Sequence, residues 1–140
     1  MALGDLRACF AFDNNLKRFT VTGDQLRCIF THIMRPENRD GEEECYEVNA
    51  AVRAVNNDQT RLLESLSLEG KPVENGRLYT IALTGYHIDN CTKNLHITPD
   101  ELVLLGGTKI VATSTNSVLE EYLREYPNLS SKIEGRLVYR

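Results

Sequence analysis

The chain has 140 residues, of which 41% are hydrophobic and 26% charged, with a formal net charge of −4. That length fits one domain able to bury roughly two thirds of its unfolded surface, and the composition excludes a disordered or low-complexity chain. The basic residues are scattered (Arg53, Arg61, Lys71, Arg77, Lys93, Lys109) instead of forming a stripe, which argues against nucleic acid or an anionic membrane as the main partner.

From the start, Leu3 to Phe10 reads as a short helix, with Leu3, Leu6 and Phe10 on one face. Phe12-Asp13-Asn14-Asn15 is a turn cluster. Leu16 to Thr22 alternates as a half-buried strand with Phe19 and Val21 inward. A helix over 23–34 follows, opened by capping-box spacing between Thr22 and Gln25 and carrying the apolar stripe Leu26, Ile29, Phe30, Ile33. Arg35 to Glu44 is the most polar stretch and is expected to be a solvated loop. Its acidic run lacks the alternating ligand spacing of a calcium-binding EF-hand loop.

Tyr46, Val48 and Ala50 to Val55 read as extended chain, and Leu66, Leu68 and Gly70-Lys71-Pro72 as a strand running into a turn. Leu78 to Leu83 is apolar and β-branched enough for a buried strand. It breaks at Thr84-Gly85 into an expected loop holding Tyr86, His87, Asp89, Asn90, Cys91 and Lys93, the densest chemistry in the chain. Thr98-Pro99-Asp100-Glu101 is a helix start with a capping box, and Gly106-Gly107 a stop. Lys109 to Thr113 is a short strand, Ser117 and Glu120 have the spacing to cap a last helix with Val118, Leu119, Tyr122 and Leu123 on its apolar face, and Leu137 to Tyr139 closes as a strand. Helices interleave with strands, several connections are hairpin-like and no glycine-rich phosphate loop occurs. The expected fold is an α+β domain with a mixed β-sheet.

No apolar run approaches the ~18 residues of a membrane span. The four cysteines, Cys9, Cys28, Cys45 and Cys91, show no CxxC pairing and read as free thiols. Free thiols and a start without a leader favour the cytoplasm, while export remains open if these residues were cut from something longer, as the abrupt start before the first helix would fit.

Four chemical readings compete in the loop. His87, Asp89, Cys91 and His96 are zinc-ligand types, but their spacing matches no closed structural pattern and no metal is expected here. Cys91 with His87 lacks a recognisable oxyanion hole, so nucleophilic catalysis is not expected either. Polar loop residues are the plain alternative. Tyr46 and Tyr86, each at a polar to apolar junction, are of a kind to sandwich a flat base, against the ordinary role of rim tyrosines.

Several patches together resemble the C-terminal domain of the 5'-nucleotidase family, two-domain metallophosphoesterases that include UDP-sugar hydrolase. Leu3 to Leu16 followed by Phe19-Thr20-Val21-Thr22-Gly23-Asp24-Gln25-Leu26 is similar to its helix, Pro-Phe-x-Asn turn, strand and Thr-Gly-x-x-Leu helix start, with Ala11 where the family usually has proline. Leu68-Glu69-Gly70-Lys71-Pro72-Val73 with Tyr79-Thr80-Ile81-Ala82 is similar to its Gly-Lys-Pro hairpin and next strand. Glu134-Gly135-Arg136-Leu137 resembles its closing strand. The resemblance implies a substrate-recognition domain, not catalytic alone and without cofactor, that binds a nucleotide or nucleoside and works with an N-terminal metallophosphoesterase domain holding two divalent metals. Carried over by position, Tyr46 and Tyr86 would clamp the base and Asn14 would be a ligand-side asparagine. Where the family reads Phe-x-x-x-Gly-Gly-Asp-Gly, this chain reads Tyr86-His87-Ile88-Asp89-Asn90-Cys91-Thr92-Lys93, leaving Asp89 as the candidate for the ribose-binding carboxylate. The alternative is a structural or interdomain interaction module that has lost nucleotide binding.

Overall fold

The computed structural model describes residues 3–41 and 46–140. In order it contains α1 (Leu3–Cys9), β1 (Leu16–Thr22), α2 (Gly23–Ile33), α3 (Pro36–Asp40), β2 (Val52–Asn57), β3 (Leu62–Leu68) and β4 (Lys71–Pro72). There follow β5 (Leu78–Thr84), α4 (Gly85–Asp89), α5 (Cys91–Leu95), α6 (Pro99–Val103), β6 (Lys109–Ala112), α7 (Thr115–Glu125) and β7 (Leu137–Tyr139). The class is α+β, as expected, with the strands divided between two sheets. One is antiparallel throughout, in the order β5-β1-β6; the other, β4-β3-β2-β7, is mixed because β7 lies parallel to β2.

Helix α2 lies between the sheets, and its sequence explains why. Leu26, Ile29, Phe30 and Ile33 are all buried and share one core with Phe19 and Val21 of β1, Val52 and Ala54 of β2, and Leu66 of β3. Burying each large apolar side chain contributes about 1.5–3 kcal/mol, so this stripe is a principal tie between the layers. At the start of α2 the Thr22 hydroxyl accepts from the Gln25 amide at 3.2 Å while the Gln25 side chain accepts from Thr22 N–H at 2.9 Å. Gly23 must be glycine for space: a Cβ there would sit 1.9 Å from the Glu74 carbonyl oxygen, because the Gly23 and Asp24 amides donate to the Arg77 and Asn75 carbonyls of the turn before β5.

Several expectations need correction. The stretch 35–44 is not wholly loop, since Pro36–Asp40 forms α3 and Asn38 is buried, its Nδ2 donating to the His32 and Ile33 carbonyls that end α2. Residues 42–44 of that stretch, and Cys45, lie outside the described residues. The Leu78 strand is not buried on both faces: it alternates, with Tyr79, Ile81 and Leu83 packed on the core while Leu78, Thr80 and Ala82 are exposed. The chemistry-rich segment after Gly85 is not a loop but the two short helices α4 and α5. The last helix is capped three residues earlier than expected, because Ser114, not Ser117, accepts from the first turn. Of the extended chain expected between Tyr46 and Val55, the strand begins only at Val52, as β2.

Candidate functional site

Strand β5 runs antiparallel to β1, and their pairing brings Thr84 opposite Leu16. The Asn14-Asn15 turn before β1 therefore sits at the base of α4. Gly85 N–H donates to the Asn15 carbonyl at 3.0 Å and Tyr86 N–H to the Asn14 side-chain oxygen at 3.2 Å. Thr84, the residue preceding α4, makes no side-chain cap bond of its own. Asn14 is thus a cap supplied from a distant part of the chain. Gly85 permits the approach, because a Cβ at that position would lie 3.0 Å from Asn15 Oδ1 and 3.4 Å from Asn14 Oδ1.

The turn is fastened on its other side as well. Asp13 accepts from the Ser114 hydroxyl at 2.7 Å, the Asn116 amide at 3.1 Å and the Thr115 hydroxyl at 3.3 Å, and the Thr115 amide donates to the Asn14 carbonyl at 2.8 Å. The Ser114 hydroxyl, with the Asn116 amide, holds the Asp13 carboxyl below its ordinary value.

Tyr86 stands at the start of α4 with 46% of its surface exposed, and Asp89, three residues on and also exposed, shares its helical face. Tyr46 reaches the same region from before β2. Its ring packs on the core and its hydroxyl donates to the Asn94 carbonyl on α5 at 2.9 Å. Between the two expected tyrosines comes His87: its ring centroid is 5.3 Å from that of Tyr46, tilted by 34°, and 5.3 Å from that of Tyr86, edge-on at 65°. The two tyrosines are therefore brought to a common neighbour, Asn14 is bonded to the backbone of one of them, and Asp89 lies on the same short helix. His87 is the aromatic contact that reasoning from sequence set aside; adjacency to Tyr86 was its only local signal.

Cys91 is 1% exposed and belongs to the core, so its thiol serves as a small apolar group at the start of α5. Cys9, Cys28 and Cys91 are free thiols. Among the described residues no group of three or more His, Cys, Asp or Glu side chains has metal-holding geometry, and no helix is long and apolar enough to cross a membrane. Two buried amide atoms border the region without a hydrogen-bond partner, Asn15 Oδ1 beside Gly85 and Asn94 Nδ2 on α5. Such atoms are ordinarily satisfied by water or a ligand.

The model of the 5'-nucleotidase C-terminal domain matches residues 2–95, about two thirds of the chain. The chain belongs to the 5'-nucleotidase family. Solved structures agree on the fold of this C-terminal domain. A 5'-nucleotidase precursor from Thermus thermophilus superposes with a TM-score of 0.74 at 13% identity, over 99% of this chain and 28% of that one. The NAD nucleotidase of Haemophilus influenzae gives 0.76 at 12% identity, over 100% and 26%. A sulfate thiohydrolase, also from Thermus thermophilus, gives 0.58 at 17% identity, over 89% and 22%. This 5'-nucleotidase C-terminal domain thus spans between a fifth and a third of each of those chains. No curated protein sequence matched it.

Proposed function

We propose that this 5'-nucleotidase C-terminal domain recognises the nucleoside part of a nucleotide or nucleoside, inactive as a hydrolase by itself. The observation that supports the reading most directly is the meeting of Tyr46 and Tyr86 on one ring, each 5.3 Å from His87. An imidazole held against two tyrosines occupies the kind of place a flat heterocycle takes, and a base exchanging with it would gain roughly 1–3 kcal/mol from stacking. Asp89 and the Asn14 amide, close to Tyr86, would supply polar contacts to the sugar. The domain would act beside an N-terminal metallophosphoesterase domain with two divalent metals, in a longer protein whose hydrolytic ligands lie outside these 140 residues. The NAD nucleotidase and 5'-nucleotidase relatives fit that reading, although the sulfate thiohydrolase is a reminder that this fold also occurs where the named substrate is no nucleotide.

The test is a titration of the 140-residue chain with adenosine and AMP, following amide and aromatic resonances. Saturable shifts centred on Tyr46, Tyr86 and His87, lost in Tyr86→Ala, are expected. Saturating adenosine without movement at those three residues would refute nucleoside recognition and leave an interaction module as the better description.

A further inference from the structure

A cavity of about 340 Å³ opens beside the end of α5, lined by residues that the tyrosine cluster does not use. Cys28 and His32, one turn apart on α2, and Arg35 just beyond it form one wall. His96 at the end of α5, Arg61 in the β2–β3 turn and Asn56 of β2 form the others. Its size falls in the range of small-molecule sites and would hold roughly ten waters, more than a bare inorganic ion requires.

The walls are chemically one-sided. The chain as a whole is acidic, at −4, yet the cavity's described lining contains two arginines, two histidines and no carboxylate. The His32 and His96 rings stack at 5.2 Å with an interplanar angle of 18°. His32 Nε2 is 2.7 Å from the Lys93 carbonyl, which only accepts, so this nitrogen carries a proton. Arg35 Nη2 lies 3.2 Å from the same nitrogen, and an arginine only donates. The Arg35 guanidinium and an N–H of His32 thus stand side by side at the cavity wall.

Left-handed backbone fixes two of the lining residues. Only three described residues other than glycine have positive φ, Arg61 at 58°, Glu69 at 51° and His96 at 56°, and two of these line this cavity. Each has a local reason: Glu69 and Arg61 sit in hairpin turns and His96 is the left-handed cap that ends α5, so Arg61 and His96 leave the backbone at fixed turns beside the cavity. Asn56, 2% exposed, adds a fixed amide whose Nδ2 is engaged by Asp58 at 3.3 Å. Arg61 also pairs with Glu37 at 2.5 Å, with both side chains about half exposed, a contact weak enough to be shared with a ligand.

We propose that this cavity is a second binding site, for the oxyanion of a small phosphate- or carboxylate-bearing molecule, gripped by Arg35, Arg61, His32 and His96. The 140-residue chain is titrated at fixed pH and ionic strength with inorganic phosphate, glycerol phosphate or succinate, and the imidazole signals of His32 and His96 are followed by long-range proton–nitrogen correlation. Saturable shifts of both rings with a dissociation constant at or below about 1 mM are expected for at least one ligand. Preference for the two phosphates assigns the phosphate source, preference for succinate the carboxylate source. Binding should weaken at least about tenfold in Arg61→Gln and in His96→Asn, which keeps a residue suited to left-handed backbone, and be unaffected in Tyr86→Ala. Adenosine alone should leave His32 and His96 unmoved, so failure at the tyrosines and failure here are read separately. Absence of saturable shifts with all three anions, or undiminished binding in both folded variants, would overturn the assignment.

Discussion

Replacing Asn14 by alanine should loosen the start of α4 and little else. The helix has five residues, too few to sustain itself, and Thr84 contributes no side-chain bond at its entrance. The Asn14 oxygen, 3.2 Å from the Tyr86 amide, is the side-chain cap that α4 has. Removal of a cap costs about 1 kcal/mol. Since Asn14 is only half-buried and its backbone remains bonded to α7, the loss should be confined to α4. A local cost of about 1 kcal/mol corresponds to roughly fivefold faster opening, so the amides of Tyr86 and Asn90, the latter bonded to the Tyr86 carbonyl at 3.2 Å, should exchange about five times faster with deuterium. Asn14→Asp keeps the accepting oxygen and adds a negative charge favourable to a helix start, so its protection should stay near the original. Unchanged exchange at Tyr86 in Asn14→Ala, or equal exchange in the two variants, would refute the idea that this turn holds Tyr86 in place.

Gly23→Ala should be among the most damaging single substitutions: its methyl would meet the Glu74 carbonyl at 1.9 Å and strain the two hydrogen bonds beneath it, so urea denaturation should show a loss of about 3 kcal/mol or more. Tyr46→Phe removes the hydroxyl that reaches Asn94 and should cost about 1 kcal/mol by the same measurement while nucleoside binding persists; Tyr86→Ala, at an exposed position, should change stability by less than about 0.5 kcal/mol and abolish that binding. Acid should weaken the turn at Asp13. Its carboxyl titrates below 3.8 when folded, so its contribution is present above that value and is lost as pH falls through the folded value. The stability difference between the original chain and Asp13→Asn should accordingly shrink as urea midpoints are followed from about pH 6 down to about pH 2.

What the sequence displayed well was local. The capping boxes at Thr22 and Thr98 are each closed within one helical turn and both form, and the β1 alternation puts Phe19 and Val21 inside as expected. Elements stayed hidden where a partner comes from far along the chain. The α4 cap is Asn14, seventy-two positions away, so a segment without local helix signals looked like loop. Asn38 is buried because two carbonyls at the end of α2 need its amide, which a polar stretch does not announce. The apolar run at Leu78 hid its alternation because the outward face also carries leucine and alanine. Tyr46 and Tyr86 were singled out by their positions at element ends. The His87 ring they share, and the cavity at the end of α5, depend on tertiary placement that spacing does not encode.

The parallel seating of β7 on β2 bears on how the molecule is made. Ala54 donates to the Arg136 carbonyl at 2.8 Å and Arg140 to the Asn56 carbonyl at 3.0 Å, so among the described residues the outer edge of β2 is satisfied by the segment from Arg136 to Arg140. During synthesis β2 emerges long before them. Its partner β3 arrives within a few residues, but the other side waits as a bare row of amides and carbonyls while α4 to α7 are added. The final strand is therefore a latch on an adhesive edge, and the interval before it closes is when this domain is most exposed to pairing with a neighbouring nascent chain.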